Sequence, residues 1–345
     1  MALSCAFCYL IVSSALATSI IEEKIPEDFF PRLTALTFSD CAIMAMAPII
    51  ILDFILLLIV KIFFYLLYSR EVYMSKEKLI DTEKYSVLAF NFPGNGYDGV
   101  LIENYKDLIL RDIAKVFLIG LDKLNIKSLF AIIGGSIGGG LVWEMAALAP
   151  DLAKNLIPVA CDWKSSDWLL ANTRLQHQIL NNSSNPVHDA RIHAMLCYRS
   201  PKSFDKKFDR SINEGLNIFN IESWLLHHGE KLQKRFQLSS YKLMNHLLST
   251  IDITSGEEKK FLDIVSKIKG SLYIVSVDSD LFFTDYHNRN TFYKVCKVKD
   301  NVFYCPIKSV HGHDAFLIEF DQLKELLLDI FVEKKPSLLR SLQKV

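Results

Sequence analysis

Ser136 lies in the glycine-rich stretch Gly134-Gly135-Ser136-Ile137-Gly138-Gly139-Gly140, directly after the apolar run Leu129-Phe130-Ala131-Ile132-Ile133. A buried strand, a G-x-S-x-G turn and a helix beginning near Leu141 make a nucleophile elbow, in which a sharp turn exposes a serine hydroxyl above a sheet. Glycines flank the serine because the turn is strained and the helix passes close to neighbouring strands, where a Cβ would clash. The helix N-terminus behind the serine directs backbone dipoles at any oxyanion formed there, and the N–H of Ile137 is the nearest such donor. The structural alternative is a glycine turn whose serine does no chemistry.

A nucleophilic serine needs a base, and the base needs a carboxylate to fix its tautomer and stabilise its cation. In chain order these follow the elbow as Asp or Glu, then His. The apolar segment Ser271-Leu272-Tyr273-Ile274-Val275-Ser276-Val277 reads as a strand and ends in Asp278-Ser279-Asp280. A further strand, Val302-Phe303-Tyr304-Cys305-Pro306-Ile307, runs into His311-Gly312-His313-Asp314. Residues just past the carboxyl ends of strands are where an open α/β sheet gathers a site. The assignment is Ser136 as nucleophile, His313 as base and Asp280 as orienting carboxylate. Asp278 competes with Asp280, and His311 with His313, because strand-end aspartates are often turn formers. His311-x-His313-Asp314 also resembles a metal pair, but two histidines without further ligands rarely hold a catalytic ion, so no metal is expected.

From about Glu77 to the C-terminus the chain resembles the homoserine O-acetyltransferase family of α/β-hydrolase-fold acyltransferases. The similar segments are Ile80-Asp81-Thr82-Glu83-Lys84-Tyr85, the elbow, Ile157-Pro158-Val159-Ala160, Ala190-Arg191 and Tyr198-Arg199-Ser200. They continue with Glu222-Ser223-Trp224-Leu225, Gly229-Glu230-Lys231, Ser279-Asp280-Leu281-Phe282 and Gly312-His313-Asp314-Ala315-Phe316-Leu317-Ile318. The resemblance implies an α/β-hydrolase fold with a mainly parallel sheet and an inserted helical lid. It implies ping-pong transfer in methionine biosynthesis: Ser136 takes acetyl from acetyl-CoA, a co-substrate rather than a bound cofactor, and the L-homoserine hydroxyl then receives it. By the same resemblance Arg191 and Tyr198 contact the amino acid and Asp314 holds its ammonium group. Without it, Arg191 reads as a solvated helix residue and Tyr198 as a half-buried one. A succinyl donor, a serine acceptor, a serine hydrolase and an inactive relative stay open, as does a homodimer.

Composition agrees with an enzyme of this size. A chain of 345 residues buries a large core, and one domain with a lid is expected rather than two independent units. The formal net charge is zero and there is no basic stripe, so no nucleic-acid partner is expected. Seven scattered cysteines do not form a disulfide framework and suit a reducing, cytoplasmic compartment; Cys5-x-x-Cys8 lies in an apolar run without charged neighbours.

Four regions are expected: an atypical apolar segment at 1–76, core with the elbow at 77–161, a helical lid at 162–262, and core with Asp280 and His313 at 263–345. Tyr85–Phe90 reads as a short strand, followed by the turn Asn91-Phe92-Pro93-Gly94-Asn95-Gly96. Ile109 to Leu124 has helical periodicity, and Phe320 to Phe331 reads as a closing amphipathic helix. From Asp162 to about Lys259 the sequence is polar and helical, with no convincing strand. His227 and His228 there read as surface or packing groups.

The opening segment departs from this pattern. All fourteen glycines lie at Gly94 or later. A hydrolase core needs glycine early, where a loop after an N-terminal strand brings an N–H to the oxyanion. The family's histidine and Leu-Thr-Gly segment has no counterpart here. Instead Ala42 to Tyr68 is nearly all apolar and long enough to span a bilayer, while Met1 to Ile21 resembles a signal-peptide core. Three readings compete: a membrane anchor that leaves the catalytic part cytoplasmic, divergent opening strands, or a mispredicted stretch joined to a genuine enzyme. The third is favoured. It predicts that 1–74 supply neither a catalytic group nor a sheet strand, with one or two apolar helices outside an incomplete core.

Overall fold

The structure, a computed structural model, describes residues 7–13, 79–81, 84–97 and 99–331. Its main sheet has six strands: β1 (Phe7–Ser13), β2 (Tyr85–Ala89), β3 (Leu129–Gly135), β4 (Ala153–Val159), β7 (Ser271–Val277) and β8 (Val302–Ile307). The spatial order is β2-β1-β3-β4-β7-β8. β3, β4, β7 and β8 pair in parallel, whereas β1 is antiparallel to both β2 and β3. The parallel strands read as continuous apolar runs because both of their faces are covered. Their side chains alternate between two cores. Leu129, Ile132, Leu156, Leu272 and Ile274 point to one, while Ala131, Ile133, Ile157, Tyr273 and Val275 point to the other.

Helices α1 (Leu110–Lys123) and α2 (Ile137–Leu148) cover the first face, and α10 (Phe320–Phe331) covers the second through Leu323, Leu327, Ile330 and Phe331. The fully buried Glu144 of α2 pairs with Arg111 of α1, Nε to Oε2 at 2.8 Å. Arg111 also donates to the carbonyl of Ile253 and to Ser255 Oγ, fixing α1, α2 and the 250s loop together.

Between β4 and β7 the chain is mostly helical: α3 (Asp167–Asn182), α4 (Pro186–Tyr198), α5 (Pro201–Phe208), α6 (Asn220–Gln233), α7 (Leu238–Ser249) and α8 (Phe261–Lys267). α4 packs on α3 and α6, and α3 on α7. Two short strands, β5 (Ile212–Asn213) and β6 (Ile218–Phe219), form a hairpin in this layer, where the sequence suggested no strand. A final helix, α9 (Asp285–Val295), joins β7 to β8. Trp168 Nε1 of α3 donates to the carbonyl of Leu281 at 2.5 Å, tying the helical layer to the loop after β7.

One finding corrects the sequence reading and a second adds to it. Phe7–Ser13 is a sheet strand, so the opening segment does contribute to the core, inserted between β2 and β3. β4 is a strand over a stretch for which the sequence reading named no element, and Pro158 lies within it. The parallel register with β3 runs through Gly134↔Pro158, but pairing with β7 skips Pro158, whose ring removes the N–H donor. The apolar run 42–68 and the remainder of 1–21, Cys5 included, lie outside the described residues. Among the described residues no helix is long and apolar enough to cross a membrane.

The elbow depends on backbone contact. A Cβ on Gly134 would sit 2.1 Å from the carbonyl oxygen of Gly138, and one on Gly139 would sit 2.6 Å from Cys161 Cβ. Gly134→Ala is therefore expected to destabilise the protein by about 3 kcal/mol or more, at the top of the overpacking range, since backbone cannot give way. Chemical denaturation of the purified variant checks this, with an unchanged midpoint as the contrary result.

Candidate active site

Ser136 occupies the turn between β3 and α2 with φ 56° and ψ −126°. This is a left-handed conformation that a non-glycine residue adopts only under constraint. The constraint is visible: Ser136 N–H donates to the carbonyl of Val159 at 2.9 Å, while its own carbonyl accepts from Gly139 N–H at 2.8 Å. The hydroxyl is thereby held at the carboxyl edge of the sheet, 5% exposed.

His313 lies in the 3₁₀ turn Gly312–Leu317 after β8, and Asp280 in the turn after β7. His313 Nε2 is 2.9 Å from Ser136 Oγ, and His313 Nδ1 is 2.7 Å from Asp280 Oδ2. The other Asp280 oxygen accepts two backbone N–H bonds, from Phe282 at 2.6 Å and Phe283 at 2.9 Å. Bonds of this kind hold a buried carboxylate in a fixed orientation. His313 is fully buried, with the rings of Tyr198, Phe282, Phe283 and Phe316 centred 5.3–5.8 Å from it. Water is thus kept from the imidazole.

The competing residues have other partners. Asp278 Oδ1 accepts from Ser309 N–H at 2.9 Å, a turn-forming contact. His311 Nδ1 is 3.4 Å from both Arg199 Nη1 and Ser203 Oγ. His228 packs edge-on against Trp224 at 4.2 Å and, mainly through burial, titrates only near pH 4. Two thiols in this region are poor nucleophiles. Burial raises Cys197 to about 11 and holds Cys161 well above the ordinary thiol range, so both stay protonated at neutral pH.

Ile137 opens α2, where its N–H has no intrahelical acceptor by position. A second donor from the carboxyl end of β1 meets a topological obstacle that β2, running parallel to β3, does not share. β1 runs antiparallel, with Phe7 opposite Gly135 and Ser13 opposite Tyr85, so its carboxyl end lies at the sheet edge away from Ser136.

Beside the Ser-His-Asp chain the helical layer contributes Arg191 and Tyr198 of α4, and the histidine turn contributes Asp314. Arg191 is 2% exposed, and its guanidinium carbon is 5.6 Å from the ring centre of Tyr198. Arg191 Nη1 and Asp314 Oδ1 are buried without hydrogen-bond partners. The other Asp314 oxygen is 3.1 Å from Arg199 Nε. A cavity of about 10 Å³, room for one water, is lined by Asn172, Gln176, His193, Tyr198, Tyr241 and Phe282, among others. Tyr241 Oη and Gln176 Oε1 face burial there without partners. Arg191 and Asp314 are thus a buried cation and a buried carboxylate, each with an unfilled hydrogen-bonding position.

Three residue roles escaped the sequence reading. The backbone amides of Phe282 and Phe283 leave no signal in residue type, and neither does the aromatic shell. Arg199 was part of the matched Tyr198-Arg199-Ser200 segment, but only the fold shows its partner.

A family profile described as the alpha/beta hydrolase fold matches residues 69–182. The homoserine O-acetyltransferase of Cyclobacterium marinum is 30% identical over 287 residues, covering 75% of this chain and 79% of that protein. The Chloroherpeton thalassium protein of the same name is 28% identical, and the chain spans only 62% of its length. Among solved structures, the homoserine O-acetyltransferase from Staphylococcus aureus aligns with a TM-score of 0.56 and 22% identity over 68% of each chain. The acetyl esterase MekB aligns at 0.66 with 17% identity, over 76% of this chain and 82% of that one. The architecture is that of the α/β hydrolases.

Proposed function

Because this chain belongs to the homoserine O-acetyltransferase family, we propose that it transfers an acetyl group from acetyl-CoA to the hydroxyl of L-homoserine through an acyl-serine, in methionine biosynthesis. The observation that carries the reading is the chain Ser136 Oγ···His313 Nε2 and His313 Nδ1···Asp280 Oδ2, at 2.9 and 2.7 Å. It supplies nucleophile, base and orienting carboxylate in the geometry acyl transfer requires.

In the first half-reaction His313 Nε2 takes the Ser136 proton as Oγ attacks the thioester carbonyl. The N–H of Ile137 stabilises the tetrahedral oxyanion, and the imidazolium returns its proton to the departing CoA sulfur. In the second, the homoserine hydroxyl gives its proton to His313 and attacks the acetyl-serine. The proton then passes to Ser136 as O-acetylhomoserine leaves. Arg191 is assigned to the acceptor carboxylate, Asp314 Oδ1 to its ammonium, and Tyr198 to the wall between them and His313. The groups that act in the reaction belong to this chain, and acetyl-CoA is consumed as a co-substrate. The four-region division of the chain, with α3–α7 as the lid, is part of the same proposal. So is a cytoplasmic site of action.

Thiol release from acetyl-CoA measured against homoserine concentration tests the reading. Release should depend steeply on homoserine, with O-acetylhomoserine as product. Release independent of any amino acid, with free acetate as product, contradicts it. Arg191→Ala is expected to raise the KM for homoserine by about 10- to 100-fold while leaving that for acetyl-CoA nearly unchanged, because a charge-assisted contact to one substrate is lost. Steady-state kinetics with each substrate varied in turn checks this, and equal increases in both KM values would contradict it.

A further inference from the structure

The junction between α4 and α5 is fastened to the histidine turn by contacts that the transfer chemistry does not itself use. Ser200 Oγ donates to the carbonyl of Val310. Gly312, at φ 67°, brings the two backbones together: a Cβ there would lie 2.9 Å from atoms of Tyr198, Arg199 and Ser200. Across this clasp reaches one long side chain. Arg199 places Nε 3.1 Å from Asp314 Oδ2 and Nη1 3.4 Å from His311 Nδ1. Its side chain is 21% exposed, against 5% for Asp314.

The Asp314 carboxylate is therefore half used. One oxygen faces a fixed cation, and the other is buried with no hydrogen-bond partner. A buried carboxylate left in this state is costly unless a second donor completes it. Arg199 is not that donor, since its Nε lies close to Oδ2 without hydrogen-bond alignment. Its planar guanidinium reaches Asp314 through Nε and His311 through Nη1, a span that the point charge of an ammonium does not reproduce.

We propose that Arg199 is a positioning residue: it holds the Asp314 carboxylate turned so that Oδ1 receives the ammonium of the amino-acid acceptor. The role rests on the acyl-transfer reading above. It makes acceptor affinity depend on a residue that touches no substrate.

The test uses the full chain, comparing Arg199→Gln, Arg199→Lys, Asp314→Asn and the double variant R199Q/D314N by steady-state kinetics with acetyl-CoA and homoserine. For R199Q the KM for homoserine should rise about 10- to 100-fold with kcat changed much less, the signature of lost ground-state binding. R199K should recover at least about threefold of that loss but stop short of the wild-type KM, because it restores the charge without the planar guanidinium. R199Q added to D314N should cost nothing further, because both act through one carboxylate. A fall in kcat with an unmoved KM, or additive losses in the double variant, overturns the role of Arg199. If R199Q does not fold, R199K decides by itself: a homoserine KM between that of wild type and that of D314N supports the role, and a wild-type value overturns it. A wild type that makes no O-acetylhomoserine overturns the functional reading and this role together, whereas a homoserine-dependent wild type with an unaltered R199Q overturns this role alone.

Discussion

Ser136→Ala is expected to lower turnover on the order of 10⁶-fold and to abolish the acyl-enzyme, as removal of a triad nucleophile does in other serine enzymes. The substitution removes one oxygen from a side chain that is 5% exposed and leaves the elbow's backbone bonds in place. The fold should survive, so the loss is chemical. His313 Nε2 would then face a methyl group, and its contact with Asp280 would remain. Stopped-flow detection of CoA release, together with a thermal melt of the variant, separates the two effects. A turnover within tenfold of wild type would show that another group carries the acyl chain; the buried thiols are poor substitutes because burial holds them protonated.

Asp280→Asn is expected to cost about 10⁴-fold in turnover through the wrong imidazole tautomer. The local geometry leaves the asparagine no choice. Asp280 Oδ1 accepts from two backbone amides, Phe282 and Phe283, so the amide oxygen must take that side. The NH₂ group then faces His313 Nδ1, which becomes an acceptor, and the ring proton moves to Nε2. A protonated Nε2 cannot take the Ser136 proton. The KM for homoserine should change little, because Arg191 and Asp314 are untouched. Kinetics of the purified variant check this, and a loss below about tenfold would mean that Asp280 serves the fold rather than the imidazole.

Much of this arrangement was legible in the chain because short-range rules decide it. The elbow is written in Gly134, Gly138 and the apolar run before them, since a turn that tight tolerates no Cβ. β7, β8 and α10 follow from their apolar patterns. The partner of His313 was not decided at that level. Asp278 and Asp280 sit two residues apart at one strand end, and only the path of the backbone turns the first to Ser309 and the second inward. β4 drew no strand assignment from the sequence, and its Pro158 falls where the ladder with β7 is not made. Phe7–Ser13 was read as part of a targeting or mispredicted segment, since a short apolar run fits helix, signal core and strand alike. Arg199 was legible only as a residue type, because its partner lies 115 positions further along the chain.

The most direct test of the account is the mass of the Ser136 peptide after incubation with acetyl-CoA, before and after homoserine is added. The account predicts a gain of about 42 Da at Ser136, the acetyl group of a covalent intermediate, that disappears as O-acetylhomoserine forms. Acetylation elsewhere with Ser136 unmodified, or an acetyl-serine that decays to acetate at the same rate with and without homoserine, would contradict it.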